Sequence, residues 1–101
     1  MKAEKWYVYI VKCADNTLYT GVTTDIIRRL DEHNYSSLGA KYTKPRRPVV
    51  LVYQETHLTR TDATKREAEL KKFSKAEKRK LFVNNHLNRT PSLSRYSRGV
   101  K

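Results

Sequence analysis

Between Leu18 and Asn34 the chain reads LYTGVTTDIIRRLDEHN, which sets a phenol (Tyr19), a guanidinium (Arg29) and an imidazole (His33) within fifteen residues. A guanidinium presents parallel N–H donors to the non-bridging oxygens of a phosphate. A phenol and an imidazole can move protons. Upstream, KWYVYIV (Lys5 to Val11) adds the phenols of Tyr7 and Tyr9; downstream, TKREAELKK adds the carboxylate of Glu67. Each residue also has a purely structural explanation. Arg29 can lay its stem on the core and keep its head in water. His33 can be a hydrogen-bonded, half-buried ring, and a strand tyrosine is an amphipathic core filler. Glu67 can pair with Lys71 or complete a capping box with Thr64.

These residues need a scaffold, and the composition bounds it. At 101 residues the chain is one domain, with 38% hydrophobic residues and hence a compact core. Lys and Arg outnumber Asp and Glu by 22 to 10, a formal charge of +12. Such a surplus attracts polyanions, which makes nucleic acid the leading partner. No long apolar run or signal-like start points to a membrane. Cys13 is the only cysteine, so there is no disulfide framework and no thiolate cluster for zinc. The expected setting is a reducing cytoplasm, and the expected state a monomer with no small-molecule cofactor.

The elements follow from local chemistry. KWYVYIV is aromatic and β-branched, as a buried strand should be. CADNT is turn chemistry, and LYTGV returns as the second strand of a hairpin. Asp25 is a suitable N-cap for a helix carrying Ile26, Ile27 and Leu30 on one face. A polar loop, NYSSLGAKYTKPRR, runs from Asn34 to Arg47. PVVLVYQE is the clearest strand and is read as the central one. A helix is expected from about Thr61 to Phe73. A second begins at a Ser74–Glu77 capping box and runs to about His86. The order is β-β-α-β-α-α, an α+β fold with a small, mostly antiparallel three-stranded sheet flanked by helices. Residues 1–87 form this domain, and 88–101, rich in Ser and Arg, are expected to be a flexible basic tail.

Two geometric expectations bear on the site. With Ile26 at zero, Leu30 falls near 40°, Ile27 near 100°, His33 near −20°, Arg29 near −60° and Arg28 near 200°, at about 100° per helical residue. Arg28 therefore points to water, and Arg29 and His33 flank the apolar stripe. In the hairpin, a two-residue turn would leave Tyr9 and Tyr19 on opposite faces. A three-residue loop, Ala14 to Asn16, pairs Val11 with Tyr19 and brings the phenols together. Asn16 can hold the left-handed position such a loop requires, so the three-residue loop is expected. Gly21, at the strand end, permits unusual backbone angles or close approach of a phosphate.

YVY at Tyr7 to Tyr9 and YTG at Tyr19 to Gly21 resemble the paired signatures of the GIY-YIG nuclease domain, with Tyr7 in place of the first Gly and Thr20 in place of the second Ile. Arg29 and His33, eight and twelve residues after Gly21, match the family's Arg and its His or Tyr. Glu67 falls where the family keeps its metal-binding Glu. The resemblance covers roughly Trp6 to Phe73 and is closest to the small, stand-alone bacterial members. It implies a catalytic set of Tyr9, Tyr19, Arg29, His33 and Glu67, with Glu67 holding Mg²⁺ or Mn²⁺. It also implies that a phenol, Tyr9 in the first instance, takes the proton from water, with His33 or Tyr19 assisting.

Lys41, Tyr42, Lys44, Arg46 and Arg47, in the loop before the third strand, are candidate DNA contacts. The basic groups would hold the backbone while Tyr42 stacks on a sugar or base. Arg89, Arg95, Arg98 and Lys101 in the tail would add non-specific attraction. Two principal classes of function remain. One is a metal-dependent DNA endonuclease acting in repair or processing; the other is a nucleic-acid-binding module that kept the fold without cleavage. A basic protein–protein adaptor is a third, blander reading.

Overall fold

A computed structural model describes the backbone of residues 5–88 and the side chains of residues 5–82. Strands β1 (Trp6–Lys12) and β2 (Leu18–Thr23) form a hairpin. Helix α1 (Ile26–Tyr35), a single 3₁₀ turn (Lys44–Arg46), strand β3 (Val50–His57) and helices α2 (Arg60–Lys71) and α3 (Lys75–Asn88) follow. The fold is α+β in the expected order, with a wholly antiparallel three-stranded sheet. From residue 89 on, the expected basic tail lies outside the described residues. Among those residues no helix is long and apolar enough to cross a membrane.

The sheet order is β2-β1-β3, so the strand expected in the centre, β3, lies at an edge and β1 takes the middle. The reason is visible in β1. Val8, Tyr9, Ile10 and Val11 are all buried, so both faces of the strand are covered. Val8 and Ile10 pack with Ala63 and Leu70 of α2, joined by Trp6, Val22 and Val52. Tyr9 and Val11 pack on the other face with Cys13 and Val49, joined by Tyr19, Ile26, Leu30 and Leu51. Alternation along one strand thus feeds two cores.

The hairpin closes through the three-residue loop. Cys13 N–H donates to Thr17 O (2.8 Å), Asn16 N–H donates to Cys13 O (2.9 Å), and Asn16 adopts φ 71°. The resulting register pairs Val11 with Tyr19 and Tyr9 with Gly21. All four therefore share a face.

Side-chain caps set the helix starts. Asp25 accepts from Arg28 N–H, and Ser74 and Glu77 exchange the two bonds of a capping box. Such caps are worth about 1 kcal/mol each. Helix α2 begins one residue earlier than expected because Thr59 caps it by accepting from Asp62 N–H. Ile27 departs from the expected apolar face. It is 81% exposed, because α1 meets the sheet through Ile26, Leu30 and His33, and a side chain about 100° round the helix misses that contact.

The segment between α1 and β3 is fastened to α1. Asn34 donates to Val49 O (3.0 Å) and accepts from Val49 N–H (2.7 Å). Arg47 donates from Nε to His33 O (2.6 Å) and from Nη2 to Glu32 O and Ser36 O. A guanidinium thereby covers carbonyls at the C-terminal end of α1, where helical partners run out. Gly39 packs so closely on that turn that an added Cβ would lie 2.7 Å from Glu32 O.

Candidate active site

The hairpin register carries the two phenols, and α1 crosses the same face. Its His33 is fully buried rather than flanking the stripe. A hydrogen bond of 2.7 Å joins Tyr9 Oη to His33 Nε2. The other ring nitrogen, Nδ1, lies 2.9 Å from Thr43 Oγ1. Tyr19 meets the same imidazole edge-on, with ring centroids 5.5 Å apart. Tyr9, Tyr19 and His33 thus form one contiguous group.

Arg29 is half-buried beside them. Its Nη1 donates to Glu32 Oε1 (2.8 Å) and to Leu38 O (2.9 Å). Both bonds use one terminal nitrogen, which fixes the guanidinium beside the Tyr9 hydroxyl. Arg28 is exposed, as its angle on the helix requires, and pairs only loosely with Glu32 (3.6 Å).

Burial is the largest influence on both central groups. It pushes the Tyr9 phenol up to about 12, against a lowering by the Arg29 guanidinium and raising by Tyr19 and Glu67. It pushes His33 down to about 4, with the charge of Arg29 adding to the depression, Glu32 opposing it and Arg47 adding further. At neutral pH the phenol is protonated and the imidazole neutral. The charges of Arg29 and Glu67 both act on the Tyr9 phenol, so they lie within electrostatic reach of the same hydroxyl.

Glu67 sits on the inward stripe of α2, between the buried Ala63 and Leu70. Its side chain is 20% exposed and its Oε2 lies 3.2 Å from Lys71 Nζ. The i,i+4 pair is therefore made, and the carboxylate is not sealed from solvent. Among the described residues no three His, Cys, Asp or Glu side chains are grouped to hold a metal ion. A single carboxylate suits Mg²⁺, which keeps most of its waters and shares its coordination with phosphate oxygens. The donor set fits that mode.

Gly21 lies inside β2 rather than at its end. Its role is close approach: an added Cβ would fall 2.6 Å from Tyr9 Oη and 2.8 Å from Tyr9 Cζ. The phenol lies directly against the glycine backbone.

The loop candidates separate by their contacts. Lys41 and Lys44 are exposed. Tyr42 stacks on Tyr19 (6.0 Å between centroids) and carries the Arg46 guanidinium 3.9 Å from its own centroid. Its ring face is already used within the protein. Arg46 also pairs with Asp15 (3.1 Å), docking the loop on the hairpin turn. Arg47 is engaged at the end of α1 through its Nε and Nη2, as described above.

Two contributors were not foreseen from the sequence. Glu32, which orients Arg29, carries a weak signal in its i,i+3 spacing. Thr43, which holds His33, carries none, because its partner is ten residues away across an irregular loop.

Residues 5–80 match the GIY-YIG catalytic domain. The chain is 59% identical over 76 residues to the UPF0213 protein DP2720 of Desulfotalea psychrophila, covering 75% of this chain and 69% of that one. It is 57% identical over 78 residues to the UPF0213 protein SH2523 of Staphylococcus haemolyticus, covering 77% and 94%. Among solved structures, the solution structure of EF2693 from E. faecalis superposes with a TM-score of 0.59 at 41% identity, covering 85% and 91%. That of the UPF0213 protein BH0048 from Bacillus halodurans does so at 0.55 and 35%, covering 96% and 99%. Matched over most of its length and more than half identical to these relatives, the chain belongs to the GIY-YIG catalytic domain family, alongside the small bacterial UPF0213 proteins.

Proposed function

We propose that this protein is a metal-dependent endonuclease that hydrolyses phosphodiester bonds in DNA, in repair or processing. The observation that carries the reading is the buried Tyr9–His33 hydrogen bond set beside a fixed arginine and within the field of Glu67. A tyrosine held near pKa 12 is a poor standing base at neutral pH. Joined to a neutral imidazole it need not stand as a phenolate. As a water attacks phosphorus, Tyr9 Oη accepts the water proton and passes its own to His33 Nε2. The P–O bond to the leaving oxygen then breaks, that oxygen takes a proton from solvent water, and His33 Nε2 returns its proton through Tyr9 Oη to solvent. Arg29 holds the non-bridging oxygens, where charge accumulates. The phosphate in turn offsets the positive charge that helps depress His33, raising its basicity as substrate binds. Glu67 would hold Mg²⁺ or Mn²⁺, which supplies Lewis-acid stabilisation of phosphate and leaving-group charge. Lys41 and Lys44, with the tail, would draw the DNA backbone to the site.

The deciding experiment incubates wild type and Glu67→Ala with nicked, branched and single-stranded DNA in Mg²⁺ or Mn²⁺. Metal-dependent cleavage that disappears in the variant supports the endonuclease. Equal binding with no cleavage by either supports a nucleic-acid-binding module with the same fold. One observation favours that second reading: the resting Tyr9 and His33 groups both titrate far from neutrality.

A further inference from the structure

The His33 ring is held at both nitrogens, and counting protons fixes which one bears hydrogen. Thr43 is fully buried, and its Oγ1 lies 3.0 Å from Ala40 O as well as 2.9 Å from His33 Nδ1. A hydroxyl has one proton. A carbonyl oxygen cannot donate, so without that proton between them Oγ1 and Ala40 O would be two acceptors in contact. The Thr43 proton therefore goes to Ala40 O, and Oγ1 accepts from His33 Nδ1–H. A neutral imidazole protonated at Nδ1 has a bare lone pair at Nε2. That lone pair faces the Tyr9 hydroxyl at 2.7 Å.

Thr43 is itself held in place by the backbone. Thr43 N–H and Lys44 N–H both donate to Ala40 O (3.1 Å each), closing a tight turn. The Asn34–Val49 and Arg47 bonds fasten the same loop to α1, the helix that carries His33. The threonine and the histidine it supports are thereby tied into one unit.

We propose that Thr43 is a positioning residue that selects the Nδ1–H tautomer of His33 and so leaves Nε2 free to receive the Tyr9 proton. The proposal rests on the cleavage reading for its purpose, but the tautomer is a property of the resting protein. Without the hydroxyl, Nδ1–H has no acceptor in a buried site, a cost that favours moving the proton to Nε2. In that state the imidazole donates to Tyr9 Oη, and the relay is blocked at its second step.

The test is ¹⁵N spectroscopy of the His33 ring in the full chain, as wild type, Thr43→Ser and Thr43→Val, together with cleavage kinetics. Wild type and Thr43→Ser are expected to show a pyrrole-like Nδ1 and a pyridine-like Nε2. Thr43→Val is expected to shift proton density to Nε2. Its kcat is expected to fall by about tenfold at least and by no more than the roughly 10²–10⁴-fold that a positioned acid–base group contributes, with KM unchanged and Thr43→Ser restoring the rate. A wild-type ring protonated at Nε2 overturns the proposal even if Thr43→Val does not fold. A folded Thr43→Val that keeps the wild-type tautomer overturns it equally. If wild type shows the expected tautomer but no DNA is cut, the endonuclease reading fails and the role of Thr43 in setting the ring stands.

Discussion

Tyr9 Oη and His33 Nε2, 24 positions apart in the chain, meet at 2.7 Å in the buried layer between the sheet and α1. Strand β1 places the phenol, α1 places the imidazole, and Gly21 leaves the gap into which the hydroxyl reaches. Neither group is charged at neutral pH, so the pair stores a transferable proton without burying an ion.

Removing the hydroxyl alone tests that pair. Tyr9→Phe is expected to slow cleavage by about 10²–10⁴-fold while leaving DNA affinity nearly unchanged. Cleavage at the wild-type rate would remove Tyr9 from the chemistry.

The depressed His33 makes stability depend on pH. Its folded pKa, about 4, lies below the ordinary value of 6.5, so the unfolded chain binds a proton first as pH falls. Stability is full above pH 6.5 and declines toward pH 4, by roughly 3 kcal/mol at about 1.4 kcal/mol per pKa unit. Urea unfolding of wild type and His33→Gln across this window checks it. The wild type should lose more stability than the variant; parallel curves would show that His33 is not held neutral.

Gly21→Ala puts a methyl group 2.6 Å from Tyr9 Oη. The phenol must shift and its bond to His33 must break or lengthen. The expected outcome is a loss of about 1–3 kcal/mol of stability, as for an overpacked core, together with loss of cleavage in a folded protein. Denaturation midpoints and the Tyr9 ring resonances report the two effects separately.

Adjacent arginines and lysines should behave differently. Arg47→Ala removes three donors from the end of α1 and is expected to cost about 1.5–3 kcal/mol, with no change in the salt dependence of DNA binding. Lys44→Ala should leave stability within about 0.5 kcal/mol. If Lys44 contacts phosphate, the variant lowers the log–log salt slope by about 0.9. A reversed pattern in melts and salt titrations would reassign both residues.

Glu67→Gln breaks the pair with Lys71, which is worth about 0.2–0.5 kcal/mol. Stability should barely move, while metal-dependent cleavage should disappear. A variant that cleaves DNA normally in Mg²⁺ would take Glu67 out of the site.

What could be read along the chain was whatever local chemistry controls. Asn16 can adopt a left-handed conformation, and that choice set a three-residue loop, hence the register, hence the shared face of Tyr9 and Tyr19. Asp25 and the Ser74–Glu77 box marked helix starts because a cap and its target lie within three residues. Arg29 and His33 were legible from helical angle, although the angle alone left His33 at the margin of a face that in fact buries it.

Other features depended on how the chain returns on itself. Arg46 and Arg47 are neighbours of equal charge, yet one pairs with Asp15 and Tyr42 while the other covers the end of α1. Nothing in their order distinguishes them. The middle place of β1 was hidden because both strands carry continuous apolar runs, Trp6 to Val11 and Val49 to Tyr53, and position in a sheet depends on what covers each face.

The amino-acid order by itself determined the family, the order of elements and the residue types of the site, because these rest on short-range periodicity, turn chemistry and motif spacing. Only the tertiary structure decided that Thr43 touches His33, that Gly21 makes room for a phenol and that Arg47 covers the end of α1. Those contacts join segments separated by ten or more residues, and burial, rather than sequence distance, sets both their geometry and their protonation.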